Sequence, residues 1–310
     1  MDFMDELKNA RQLATTVTDW EVGVFSWKKA YIASVFAAIS YEEIPEFELK
    51  NSKRAKLIPC DRYQSVVSRW KNEKLGANIR ALEIDMPVEI VIRNKVIVAI
   101  SKIREAIFVS FRGTTISFSD FKSDLDIRKV KYPIGESVKL HRGFFDAVYE
   151  CYSEVIDKIL FFQGHDSIPV YVTGHSLGGA MAAIFYARLR ELGLNFSRHF
   201  DHRNWIREVA SCYTFGMPRY GNRGAMITFP RPYHTFNELD AIPTLPPRIF
   251  GFADSQDERC LNADSKVEPI LGKGDCALRP GKGIATVLGI SDHRMERYVQ
   301  RTKARQLSGP

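Results

Sequence analysis

The sequence predicts an α/β fold, with a mostly parallel central sheet covered by helices on both faces. Three observations predict it. Strand-like and helix-like segments alternate across the C-terminal two thirds of the 310 residues, the pattern of strands joined by crossover helices. At 45% hydrophobic and 26% charged residues, the chain has material for a sizeable core. No linker-like stretch, internal repeat or low-complexity tract divides it. The expectation is therefore one domain over 1–310, with a mainly helical part at 1–85 and a core part at 86–305.

The elements follow in order. Trp27 to Ile39 is the clearest helix of the N-terminal part. Val88 to Ile92 and Val96 to Ile100 are β-branched runs parted by Arg93-Asn94-Lys95, which predicts a hairpin. Ala106 to Phe111 is a short apolar run ending at Arg112-Gly113, as a buried strand is. Phe145, Val148, Val155 and Ile159 fall at helical spacing within 144–162. A strand at Pro169 to Thr173 and a helix at Leu177 to Leu192 come next. Strands are expected at Val209 to Phe215 and Tyr233 to Leu239. Gly251 to Gly283 is polar and holds Gly and Pro, so a long ordered loop is expected there. Asp292 to Arg305 predicts a basic helix.

Composition excludes several classes. The formal charge of +7 fits a solubilising surface; attraction to anionic lipid is the other reading. No dense Lys/Arg block or nucleic-acid motif is present, so no nucleic-acid partner is expected. The best apolar run, Ala30 to Ile39, is shorter than the roughly 18 residues of a membrane span. The acidic start Met1-Asp2-Phe3-Met4-Asp5-Glu6 lacks the basic and apolar parts of a signal peptide. That points to a cytoplasmic protein; the alternative is a secreted one whose signal the sequence does not carry. Five sparse cysteines read as reduced and structural, although Cys260 and Cys276 could pair in an exported protein. No ligand cluster is evident, so neither a metal nor any other cofactor is expected.

Gly174-His175-Ser176-Leu177-Gly178 carries the chemistry. By itself Gly-x-Ser-x-Gly is weak, arising by chance in about one chain in ten of this length. Its position between a predicted strand and a predicted helix is the setting of a nucleophile elbow. A turn that sharp brings backbones very close, and Gly174 and Gly178 remove the Cβ atoms that would clash. The helix N-terminus also aims N–H groups and partial positive charge at the place where negative charge develops. A tight turn without chemistry is the bland alternative.

A serine hydroxyl needs a base to remove its proton. In α/β-hydrolases the chain order is serine, acid, histidine. Four histidines follow Ser176. His199 and His202 flank Asp201 in a polar stretch and read as solvated. His234 lies in a predicted strand and reads as structural. His293, after the long loop and before the last helix, is the candidate base. Asp240 is the candidate acid, because it follows a strand and precedes Pro243, Pro246 and Pro247, which end regular structure. Asp201, Asp254, Asp257, Asp264 and Asp275 sit in polar segments. Asp292 adjoins His293 too closely to orient the ring, and a helix N-cap is its expected role.

These residues resemble the class 3, or fungal-type (Rhizomucor-like), lipases over roughly 85–300. Phe111-Arg112-Gly113-Thr114 is similar to that family's oxyanion strand end, and His141-Arg142-Gly143-Phe144 to its approach to the next helix. Gly174-His175-Ser176-Leu177-Gly178-Gly179-Ala180 resembles its elbow. Phe215-Gly216-Met217-Pro218-Arg219, Asp240 to Pro247, and Asp292-His293 come next in the same order. The resemblance implies an α/β-hydrolase fold. It implies that Thr114 supplies its N–H and hydroxyl to an oxyanion hole, with the Leu177 N–H as second donor. It also implies that Asp124 accepts the Thr114 hydroxyl.

The expected activity is serine carboxylic-ester hydrolysis, most directly of triacylglycerols. A phospholipase or feruloyl-type esterase on the same scaffold stays open, since fold and triad do not fix substrate. So does a non-catalytic lipase-like binding protein, which would be expected to carry a broken triad. The partner is then a lipid or small ester, with transient contact to a lipid interface. Thr115 to Phe121, with Ile116, Phe118 and Phe121, is a candidate lid; a helix packed permanently on the core is the alternative. The role of 251–283 and the acyl-chain preference are not readable.

Overall fold

A computed structural model describes residues 2–42, 62–94, 96–113, 127–133, 137–196, 209–261, 267–271 and 292–307. Among the described residues of the N-terminal part, α1 spans Phe3–Ala14, α2 Trp27–Ile39 and α3 Tyr63–Ala81. Ser26 caps α2 by accepting the Lys29 N–H at 3.1 Å, a hydroxyl taking one of the helix's unpaired donors. Every residue of α2 from Lys29 to Ile39 is buried, as a helix apolar on all sides must be. Lys29 is the exception in chemistry. Its ammonium donates to the Asp19 and Val22 carbonyls at 2.7 and 2.8 Å and pairs with the Asp19 carboxylate at 3.0 Å. A buried charge is tolerated only with such partners.

The strands are β1 Val88–Arg93, β2 Val96–Lys102, β3 Ile107–Phe111, β4 Lys129–Lys131, β5 Lys139–His141, β6 Val170–His175, β7 Val209–Phe215, β8 Tyr233–Asn237, β9 Asp257–Leu261 and β10 Val267–Leu271. The remaining helices are α4 Arg142–Gln163, α5 Leu177–Phe196, α6 Arg223–Thr228 and α7 Met295–Leu307. Among the described residues, eight strands form one sheet in the order β1-β2-β3-β6-β7-β8-β9-β10, and β4 with β5 a separate pair. From β3 to β9 every pairing is parallel. The hairpin β1–β2, the β2–β3 pair and the β9–β10 pair are antiparallel.

Side chains along each strand alternate between two apolar layers, the period-2 consequence of the pleat. Val109, Phe111, Val170, Val172 and Cys212 join α4 and α5 on one face. Phe108, Tyr171, Tyr213 and Phe215 join α1, α2 and α7 on the other. On that second face Phe36 of α2 stacks on Phe108 at 4.1 Å with the rings 9° from parallel.

One expectation fails. Within Gly251 to Gly283, expected to be loop, Asp257–Leu261 and Val267–Leu271 are strands that extend the sheet. Polar composition concealed β9, whose Glu258 and Arg259 are met by neighbours. Glu258 pairs with buried His234 at 3.1 Å, and the Arg259 guanidinium covers the Phe25 ring at 3.7 Å. Pro269 is accommodated on β10, the last strand of the sheet among the described residues, where a missing N–H costs no interior pairing. Residues 272–283, and with them Cys276, lie outside the described residues. No described helix is long and apolar enough to cross a membrane.

Phe36→Ala should lower stability by about 3–5 kcal/mol, the usual result of emptying a buried aromatic site, read from the urea midpoint. A change under about 1 kcal/mol would show that the α2 layer repacks freely.

Candidate active site

The parallel strands end side by side. Phe111 lies beside Gly174, His175 beside Phe215, and Phe215 beside Thr235. The residues that leave each strand therefore gather at one carboxyl edge of the sheet, where open α/β sheets place their sites.

Ser176 follows β6 and precedes the first residue of α5. Its φ of +58° is a left-handed conformation that a non-glycine residue holds only when its surroundings impose it. The crowding is visible in the flanking glycines. A Cβ on Gly174 would stand 2.3 Å from the Gly178 carbonyl oxygen, and one on Gly178 2.1 Å from that of Phe111. Helix and strand are thus packed closer than any side chain allows. Leu177 opens α5, so its N–H belongs to the first helical turn, whose donors have no intrahelical acceptor.

His293 sits in a turn before α7. Its Nδ1 is 2.7 Å from Asp240 Oδ2 and its Nε2 is 2.8 Å from Ser176 Oγ. A carboxylate can only accept, so the proton resides on Nδ1. Nε2 then presents a lone pair to the serine O–H, the tautomer a base requires. Asp240 is fully buried between β8 and a 3-10 turn at Ile242–Thr244. Burial pushes its carboxyl up. The His293 charge and the donors His293, Tyr298 and Ile242 more than offset this, leaving it below the usual carboxylate range. The Tyr298 hydroxyl donates to Oδ2 at 2.5 Å and the Ile242 N–H to Oδ1 at 2.9 Å. Gly216, at φ +55°, lets these groups meet: a Cβ there would stand 2.7 Å from Asp240 Oδ2 and from the Tyr298 hydroxyl.

The structure therefore brings Ser176, His293 and Asp240 together, with the Leu177 N–H beside them. Thr114, Asp124 and the candidate lid residues Ile116, Phe118 and Phe121 lie outside the described residues, as do His199 and His202. A Cβ on Gly113, the residue before Thr114, would stand 2.9 Å from Ser176 Cβ, so this strand end passes directly over the nucleophile. His234 is structural as expected: Nε2 accepts the Met217 N–H at 3.0 Å and Nδ1 faces Glu258.

Asp292 differs from its expected helix-cap role. Its two carboxylate oxygens face the two terminal nitrogens of Arg301, each at 3.2 Å. A fork of this kind holds a plane as well as a charge.

Sequence reasoning missed three supports. Tyr298 reaches Asp240 from α7. Asn237 Nδ2 donates to the Asp292 carbonyl at 2.7 Å. Arg219 pairs with Asp254 at 2.6 Å and donates to the carbonyls of Thr244 and Pro246, bracing the turn after Asp240. Arg219 alone had a signal, its place in Phe215-Gly216-Met217-Pro218-Arg219.

The family model described as "Lipase (class 3)" matches residues 108–250. The matched segment, just under half of the chain, is similar to the class 3 lipases. Over 168 residues the chain is 35% identical to a lipase of Rhizomucor miehei, an alignment covering 52% of this chain and 43% of that protein. A secreted mono- and diacylglycerol lipase of Malassezia restricta is 31% identical over 170 residues, 51% of this chain and 52% of its own. The chain thus spans about half the length of the curated relatives it matches. The fold is shared with the propeptide complex of Rhizomucor miehei lipase, at TM-score 0.54 and 23% identity over 86% of this chain and 77% of that one. It is shared as well with MDLA of Penicillium cyclopium, in a mutant form, at TM-score 0.61 and 17% identity over 85% and 92%.

One proton should govern the acid side of a pH–rate profile for ester hydrolysis at this site. Protonated His293 cannot accept from Ser176. His175, the other imidazole at the site, is pushed down to about 3, chiefly by burial, and Asp240 titrates below the usual carboxylate range. Log rate against pH should rise with slope 1, and a slope of 2 would show a second coupled group.

Proposed function

We propose that the chain is a carboxylic-ester hydrolase that cleaves acylglycerols through an acyl-enzyme on Ser176. The observation that carries this reading is the bridging imidazole of His293, protonated toward Asp240 and basic toward Ser176.

The steps follow from the geometry. Ser176 Oγ attacks the ester carbonyl carbon as its proton moves to His293 Nε2. Buried, ionised Asp240 stabilises the imidazolium so formed. The negative charge passes to the former carbonyl oxygen, where the N–H of Leu177 and, by family resemblance, Thr114 donate; such donors are worth about 3 kcal/mol each in the transition state. Collapse breaks the bond to the alcohol oxygen, which takes the proton from His293. Water, activated by the same base, then releases the acid.

The printed names of the relatives, lipase and mono- and diacylglycerol lipase, support an acylglycerol substrate. So do the apolar side chains around the acid segment: Leu239, Ile249 and Phe250 are 44%, 88% and 45% exposed. They suit transient contact with a lipid surface, where their apolar area leaves water.

Ser176→Ala should fold as the parent does and cut hydrolysis of both p-nitrophenyl butyrate and tributyrin by at least ~10⁴-fold. A variant that turns over either ester near the parental rate would remove Ser176 as nucleophile.

A further inference from the structure

His175, between Gly174 and Ser176, makes contacts that the proton-transfer chemistry does not use. Its Nε2 lies 2.6 Å from the backbone carbonyl of His293, and its ring 4.6 Å from the His293 ring. A carbonyl only accepts, so Nε2 carries the proton. Burial first, then the His293 charge, keeps this ring neutral, which leaves a lone pair on Nδ1. The Tyr41 hydroxyl, 2.9 Å away, is its donor. The Tyr41 oxygen in turn accepts the Gly113 N–H at 3.0 Å. One directed chain results: Gly113 N–H to Tyr41, Tyr41 O–H to His175, His175 Nε2–H to the His293 carbonyl.

Its ends matter. Gly113 closes the strand end that precedes Thr114, and His293 is the base. Since the Asp292 carbonyl is held by Asn237, two successive carbonyls beside the imidazole are pinned. The Asp240 and Ser176 bonds orient the ring, whereas His175 places the backbone from which it hangs. Tyr41 lies just beyond the buried helix α2, so it is held by the rigid layer stacked on Phe108.

We propose that Tyr41 and His175 are positioning residues that keep the base and the oxyanion strand end in register with Ser176 through this chain of hydrogen bonds. The proposal rests on the ester-hydrolase reading of the site. Neither residue touches the reacting atoms; each acts through the placement of those that do.

The test is a cycle on p-nitrophenyl butyrate, with kcat counted per Ser176 titrated by a fluorophosphonate. Tyr41→Phe keeps the ring and removes the hydroxyl. It should lower kcat by ~10–100-fold, the usual result of an ångström-scale misplacement, with KM within about twofold. His175→Leu should fall similarly. His175→Gln, whose amide can still donate to the His293 carbonyl, should recover part of the loss. Adding Tyr41→Phe to His175→Leu should cost at most about threefold more, because the chain is already broken. Unchanged kcat in Tyr41→Phe, losses that multiply in the double variant, or an effect confined to KM would each overturn the proposal. These outcomes stand apart from failure of the hydrolase reading. That failure appears as a Ser176→Ala variant still active, or a parent that hydrolyses no ester, and it takes the positioning role down with it.

Discussion

The contact between Gly178 and the Phe111 carbonyl is the constraint on which the site depends. With no Cβ at 174 or 178, α5 starts almost on top of β3 and β6. Only then is the intervening residue forced to φ +58°, which turns the Ser176 hydroxyl out of the sheet edge toward His293. The same closeness brings the first turn of α5 up beside that hydroxyl. Strain in one residue is offset by two apolar layers that hold helix and strand where they are. The Ser176 hydroxyl and the first N–H groups of α5 are thus set by a single packing event.

Around that event the polar groups obey one rule. Asp240 is charged although fully enclosed, and is tolerated because His293, Tyr298 and Ile242 all donate to it. His175 is enclosed too, but lies between a hydroxyl and a carbonyl, so burial leaves it uncharged. Two titratable groups a few ångströms apart are each held in one charge state by the kind of partner they meet. The lone pair that faces Ser176 is that of His293 Nε2.

What could be read from the sequence divides along a physical line. The elbow was legible because its demands are local: small residues at fixed offsets between a strand and a helix. Asp240 and His293 were legible through chain order and the prolines after the acid. β9 was not, because its pattern is polar and becomes a strand only once His234 and Phe25 stand beside Glu258 and Arg259. Tyr298 and Tyr41 were equally silent. Their roles depend on α7 and α2 packing side by side over the sheet, and nothing in the local sequence of either tyrosine marks it as reaching the site. Asp292 departs from its expected role for the same reason, since Arg301 meets it across a turn of chain that local rules assign to capping.

The triad spans long intervals of chain, 53 residues from Asp240 to His293 and 117 from Ser176 to His293. Two of the three members are carried by the sheet, while the base travels with the segment that leads into α7. That helix docks through Met295, Tyr298 and Val299. Undocking of that helix would be a sub-global opening that takes His293 away from Ser176 while the sheet persists. Under the proposed hydrolase reading, ester turnover would serve as a local thermometer: activity lost ahead of bulk secondary structure would report the undocking of one helix, and its recovery on cooling the return.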